Sequence, residues 1–331
     1  MAIGTWSSLS EVQKLTTDMK IAGVIEEIIK DGGLLPRLPG LTVKGKSVVY
    51  NREKTLPTGN FIAIDGSLTP QTVVDYTEVT VSLKVIECTI DLDHFIVDTY
   101  PTINDLRAQA LSAARKGLQH KLEDAIIYAS STVANEFDGL HRLIRTHIDP
   151  NTQVIHNGTA GSAGARGTPN ALSLAKLDEL IDLAKPKPDI LLMTPNIRRR
   201  LSASMRATGV SGYINWVRDD FGKQILVYND IPVIASDFQT QTERLAVDGK
   251  AFDGKTGGTS SSIFAVRFGV PDEGGVSLLT GGGEVIMHKS IPQLEARLAG
   301  REILYIYAAL ALGAVVSASA MTGVSDAAVV S

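Results

Sequence analysis

The stretch Pro101 to Ser130, PTINDLRAQALSAARKGLQHKLEDAIIYAS, constrains the chain most. Its apolar residues Ile103, Leu106, Ala110, Ala113, Leu118, Leu122, Ala125 and Ala129 recur at steps of three to five. That spacing predicts one buried stripe on a helix. Thr102 is placed to cap its start, and Asp105 three residues on favours the positive helix end. At 1.5 Å per residue a helix over 103–129 is roughly 40 Å long, well beyond the usual 11 or 12 residues. Arg107, Arg115, Lys116, Gln119, Lys121, Glu123 and Asp124 fall on its back, which is expected to face water or a polar neighbour. With β-rich sequence on both sides, this helix reads as a spine that carries the other parts.

The hairpin ahead of the spine sets the second constraint. KGKSVVYNRE rises, TLPTGNFIAIDGSLTPQ turns, and YTEVTVSLKVIECTIDLD returns. On the return, Val79, Val81, Leu83 and Val85 share one face, and the apolar set then moves to Ile86, Cys88, Ile90 and Leu92. Such a parity switch means a β-bulge or a strand that exchanges one buried face for another. A two-stranded hairpin this long cannot bury itself and calls for a partner surface. The same holds for the start of the chain, where a polar arm leads to an amphipathic helix over Thr17 to Lys30, ended by Gly32-Gly33 and followed by Pro36 and Pro39. That arm is expected to lie on a neighbour.

Beyond the spine, NEFDGLHRLI reads as a turn and short strand, and NGTAGSAGARGTPN as a flexible connector. A helix is expected over Ser173 to Ala184, a buried strand at Asp189 to Met193, and a helix opened by Thr194-Pro195 with Ile197, Leu201 and Met205 on one face. ATGVSGYINWVRDDFGKQ reads as a glycine-marked loop and ILVYNDIPVIASDF as strand, turn, strand. SSIFAVRFG and GVSLLTG add two strands. The uncharged run Ile303 to Met321 is long enough for a membrane helix, but Ile303-Leu-Tyr-Ile-Tyr307 and a Gly, Ala and Ser-rich second half suit two buried strands, or a strand and an apolar tail, better. The block from Ser173 on makes an α+β or α/β unit of about one standard domain, within a chain that is α+β as a whole.

Composition narrows the function. A net charge of −4 and 5% aromatic residues speak against a nucleic-acid groove as the main function. The lone Cys88 forms no disulfide within the chain and fits a reducing compartment; it reads as a small apolar strand residue. The first apolar cluster, Ile21 to Ile29, is broken by Glu26 and Glu27 and does not read as a signal peptide.

The sharpest catalytic string is Gly40 to Ser47, GLTVKGKS, a literal phosphate-loop pattern in which Lys46 would reach phosphates and Ser47 would hold magnesium. That chemistry needs a strand before it and a helix after it. Prolines precede it and the β-like VVYNRE follows, so chance is the better explanation. Asp91, Asp93 and His94 could gather a metal, but strand alternation puts His94 on the opposite face, so structural roles are expected. Arg198, Arg199 and Arg200 fan around a helix and suit a solvated face or intersubunit ion pairs. Asn157-Gly158-Thr159 matches a glycosylation acceptor, which means nothing without secretion. No metal, cofactor or catalytic set is expected, and the chain is not read as an enzyme.

The order of parts resembles the major capsid protein of tailed bacteriophages, the Hong Kong 97-like fold. The phrases that carry the likeness are FDGLHRLI after the long helix, DILLMTPNIRRRLSA, YNDIPVIASDF and SIFAVRFG. The resemblance implies an N-terminal arm over 1–42, an extended loop over 43–85 and a peripheral domain over 86–169 with its spine at 103–129. It further implies an axial domain over 170–290, with a loop around Arg206 to Gly222 at five- and six-fold axes, and a return to the peripheral domain over 291–331. Contacts between subunits are then expected at Lys54, Phe61, Ile62 and Ile64 of the extended loop, at Arg198, Arg199 and Arg200, and at Tyr213, Trp216 and Arg218 near the axes. Some members cross-link covalently through a lysine and an asparagine, and Lys54 lies in the corresponding loop, with no partner asparagine assigned by the resemblance. Implied partners are further copies in pentamers and hexamers, a separate scaffolding protein, a portal, a possible decoration protein and enclosed DNA bound without sequence preference. The implied location is the virion, assembled in the host bacterial cytoplasm. An acidic chain can enclose DNA without holding it tightly. The rival expectations are an encapsulin-type compartment holding cargo enzyme and, from another class, a phosphate-loop NTPase using Lys46 and Ser47.

Overall fold

The computed structural model describes residues 30, 32–55, 57–68, 70, 75–99, 106–147, 153–161, 165–204, 214–218, 224–247, 252–282, 285–295 and 297–330. Its strands, in chain order, are β1 (Gly40–Val43), β2 (Ser47–Thr55), β3 (Asp75–Ser82), β4 (Lys84–Asp93), β5 (Val154–His156), β6 (Ile190–Met193), β7 (Ile214–Arg218) and β8 (Gln224–Tyr228). They continue as β9 (Ile231–Ala235), β10 (Arg244–Leu245), β11 (Phe252–Gly254), β12 (Ser261–Val266), β13 (Val276–Gly281), β14 (Met287–Ile291), β15 (Ala299–Leu312) and β16 (Ala318–Val324).

The spine helix runs Leu106–Tyr128; the expected cap Thr102 and Ile103 lie outside the described residues. Leu118, Leu122, Ala125 and Ala129 are buried as the stripe predicts, but Ala114 replaces Ala113 in the core. Ile126 and Ile127 are buried as well, so the last turns are covered on more than one side. Glu123, expected on the wet back, is only 5% exposed, and Gly32 packs so closely on it that a Cβ there would sit 1.0 Å from Oε2. Covering from two directions makes the buried arc wider than a single apolar stripe.

The covering elements are two sheets. In the first, β15 is the central beam: β4 pairs along one side of it, while β14 and β13 share the other, and β1 adds to β13. In the second the order is β5-β16-β12-β6-β9-β8-β7. Alternation along β6 explains how the layers join. Ile190 and Leu192 face the core shared with the spine, and Leu191 and Met193 face a second core under the helices Leu174–Leu183 and Pro195–Ser204. A strand covered on both faces is apolar without a break, as ILLM is. The uncharged run Ile303 to Met321 divides between β15 and β16, which lie in different sheets. Among the described residues no helix is long and apolar enough to cross a membrane. β13 belongs to the first sheet although it precedes residue 290, and β16 to the second although it follows 291.

Two local expectations need correction. FDGLHRLI holds a helix, Leu140–His147, instead of a strand, because Leu140, Leu143 and Ile144 form an i, i+3, i+4 set against the spine. Gly139 ahead of it is needed for close approach, since a Cβ there would lie 2.5 Å from the Ala125 carbonyl oxygen. INWVR, expected within a loop, is β7, antiparallel to β8 from Ile214↔Tyr228 to Arg218↔Gln224, as its Ile, Trp and Val favour. The turn between β8 and β9 uses Asn229 and Asp230 at φ 48° and 61°, the left-handed region those residues tolerate. The end of the arm, over 32–43, packs on its own chain, with Leu34, Leu38 and Val43 in the main core. Residues 1–29 and 31, with nearly all of the helix expected at Thr17 to Lys30, lie outside the described residues.

The hairpin is β2 against β3, in register from Ser47↔Ser82 to Glu53↔Tyr76. The parity switch is a change of partner: β3 ends at Ser82, and β4 starts at Lys84 against β15. Its root is tied to the end of the beam. The Tyr50 hydroxyl donates to the Leu312 carbonyl at 2.5 Å, and Arg52 donates through Nε to the Gly313 carbonyl at 2.6 Å and through a terminal nitrogen to Leu312.

Candidate intersubunit surfaces

The root fixes the hairpin, and the far end carries its exposed apolar residues. Phe61 and Ile64 are essentially fully exposed, Ile62 about half, and Leu68, which sequence reasoning passed over, is 84% exposed. A turn closed by the Gly66 amide on the Ala63 carbonyl at 2.9 Å, with Asp65 at φ 67°, shapes this tip. Several large apolar side chains exposed within a few residues form the kind of patch that marks an interaction site. Lys54 sits in β2, just below the tip.

The remaining expected contact residues lie elsewhere. Trp216, Val217 and Arg218 are exposed on β7, the edge strand of the second sheet, with one side of its backbone unpaired among the described residues. An open edge with exposed apolar side chains invites pairing with another chain. Tyr213 is outside the described residues. Arg198 and Arg199 are exposed on their helix. Arg199 and Arg200 are already engaged within the chain, donating to the Asp326 carboxylate at 3.0 and 2.6 Å. The structure therefore groups the loop residues together and keeps the arginines and the β7 residues apart from them.

The catalytic readings do not survive the geometry. Gly40 to Ser47 runs from β1 through a turn into β2, and Ser47 pairs with Ser82. No helix follows, so the backbone amides and dipole that cradle phosphate are missing. Asp91 accepts two hydrogen bonds from Arg301 directly across the strand pair, at 2.6 and 2.8 Å, and His94 Nε2 bonds the Pro292 carbonyl at 2.9 Å. Among the described residues no group of His, Cys, Asp and Glu is placed to hold a metal. Asn157 is buried with its amide nitrogen donating to the Asn170 and Ala171 carbonyls, so it is no sugar acceptor.

Two carboxylates anchor β15: the buried Glu302, which the sequence did not flag, and the partly exposed Asp91, weighed there only as a metal ligand. Glu302 of β15 accepts from His288 Nε2 at 2.6 Å, from the Ser290 hydroxyl at 3.0 Å and from Arg107 of the spine at 2.5 Å. Burial pushes its carboxyl up, but the His288, Ser290 and Arg107 donors together hold it below the usual range. Asp91 is lowered by the Arg301 hydrogen bond. Both folded-state values lie below the unfolded ones, near ~4, so their stabilisation is complete above that pH and is lost as pH falls through the folded values. The urea midpoint is expected to drop as the pH falls below about 4, with Asp91→Asn flattening the slope. Screening by water keeps the change from this partly exposed pair small. An unchanged slope in that variant would remove the Arg301 pair from the account.

No family model and no curated protein matches the sequence. Solved structures do match over nearly all of the chain. The encapsulin of the holo-SrpI complex from Synechococcus elongatus superposes with a TM-score of 0.68 at 17% identity, covering 100% of this chain and 99% of that one. The capsid of a native GTA particle gives 0.61 at 10% identity, covering 96% and 99%. The structure of Microbacterium phage Oxtober96 gives 0.60 at 14% identity, covering 96% and 98%. Spine, beam, hairpin and two sheets thus reproduce, end to end, the Hong Kong 97-like capsid fold.

Proposed function

We propose that the chain is a structural shell protein, many copies of which assemble into a closed icosahedral particle, and that the particle is the capsid of a tailed double-stranded DNA bacteriophage. The observation that carries this is the hairpin: a long two-stranded arm, rooted in its own subunit by Tyr50 and Arg52, that presents Phe61, Ile62, Ile64 and Leu68 to whatever lies beyond it. On this reading the hairpin locks neighbouring subunits, and Trp216 and Arg218 on β7 face the rotation axes. Pentamers and hexamers then close the lattice with a scaffolding protein and a portal. The chain performs no catalysis, and enclosed DNA is held without sequence-specific contacts.

The likeness to the encapsulin, at a TM-score of 0.68, favours a second reading in which the same shell holds a cargo enzyme. Electron microscopy and size exclusion of the chain, expressed with and without its neighbouring genes, test both readings. Closed particles or capsomer rings are expected, and their ultraviolet spectrum separates nucleic acid from protein cargo. A monodisperse monomer or dimer under every condition would end the shell reading.

A further inference from the structure

We infer that the hairpin tip of one subunit seats in a cleft at the hairpin root of the next, with Asp65 of the tip opposite Lys84 of the cleft; this rests on the shell reading. The cleft encloses about 240 Å³ between the hairpin and the turn after the spine, with Val79, Val81, Phe137, Leu143 and Leu310 among its walls. Small-molecule sites run from ~300 Å³ upward, so this one suits a side chain or two better than a metabolite. Of these apolar walls only Val81 is not already buried, so it offers the tip's apolar side chains their contact. Arg52, Lys84, Glu136 and Asp138 make the rest of the lining largely polar.

Charge complementarity selects the occupant. Asp65 is the only ionisable residue between Leu56 and Val74, and it stands exposed on the turn beside Ile64. Lys84 lines the cleft and has no ion pair among the described residues, whereas Glu136 and Asp138 in the same wall are engaged with Lys121 and Arg142 and with the Ser130 and Ser131 amides. The tip cannot fill its own cleft, because β2 carries it roughly 17 Å beyond the Tyr50 rung at ~3.4 Å per residue. Knob and socket on different parts of one chain make a head-to-tail contact, which closes into a ring where the rotation between copies closes.

The test is a charge exchange read by particle yield. Asp65→Lys and Lys84→Asp are each expected to lower the yield about tenfold through like-charge opposition, and the double variant to recover it. Circular dichroism of the unassembled chain controls for folding. If Lys84→Asp unfolds, the pair Asp65→Asn and Lys84→Gln replaces it: added salt is then expected to reduce wild-type assembly and leave this variant unaffected. Single variants that assemble like the wild type, a double variant no better than the singles, or equal salt response would each overturn the seating while particles still form. Absence of particles from the wild type would instead overturn the shell reading.

Discussion

Glu243→Ala is expected to destabilise the fold by about 3–5 kcal/mol, the cost of breaking a buried charged network from one side. Glu243 is 2% exposed. Its Oε1 accepts from the Tyr128 hydroxyl at 2.6 Å and lies 3.3 Å from His141 Nε2, and its Oε2 accepts from the Ser262 hydroxyl at 2.6 Å. The Thr240 amide donates back to Tyr128 at 2.9 Å. Burial, reinforced by the Glu243 carboxylate, holds the Tyr128 hydroxyl protonated far above the usual phenol range. His141 stacks on Phe252 with ring centres 3.9 Å apart and meets Phe264 edge-on at 4.7 Å, so neither ring can turn toward water. Alanine would strand the Tyr128 and Ser262 hydroxyls and the His141 ring in an apolar setting. Because Tyr128 ends the spine and Ser262 belongs to β12, the lost contacts are those that bind the spine to the second sheet. Urea denaturation measures the loss, and Glu243→Gln, which keeps an acceptor, is expected to lose less than half as much. A drop under about 1 kcal/mol for alanine would reduce the node to an ordinary hydrogen bond.

Removing the tip, Pro57 to Gln71, and closing β2 to β3 with a short glycine turn should have the opposite profile. The described side chains from 57 to 68 are exposed, so the unassembled chain is expected to melt within about 0.5 kcal/mol of the wild type. Particle assembly, in contrast, is expected to fall below detection in size exclusion and electron microscopy. Shells that form with unchanged stability would show that the hairpin does not lock them.

How much of this was legible depends on how many directions a residue is buried from. The stripe of the spine, the strand pair around Asn229-Asp230 and the buried β6 were readable because each answers to one periodic demand. Ala114 in place of Ala113, and Glu123 in the interior, follow from a second covering layer, including the strap around Gly32, that no helical period announces. The helix at Leu140–His147 was missed because eight residues rich in Leu, Ile and His satisfy either period until the spine is there to choose. INWVR hid between glycines as an edge strand with one partner. Of the candidate contact surface, the apolar tip was visible as Phe61, Ile62 and Ile64. Its socket was not, because Val79, Phe137, Leu143 and Leu310 come together only through the tertiary fold.

The beam has a mechanical consequence. β15 spans roughly 47 Å at ~3.4 Å per residue, with the hairpin root tied at Leu312 and Gly313 and the start of the spine tied through Glu302 and Arg107 near the other end. On the proposed shell reading, a tug on the tip by an adjoining subunit would travel along the strand axis. It loads the hydrogen bonds to β4, β13 and β14 together, in shear, rather than unzipping them singly. Tension that enters at the loop is delivered to the foot of the spine, so one continuous strand couples the far hairpin to the long helix.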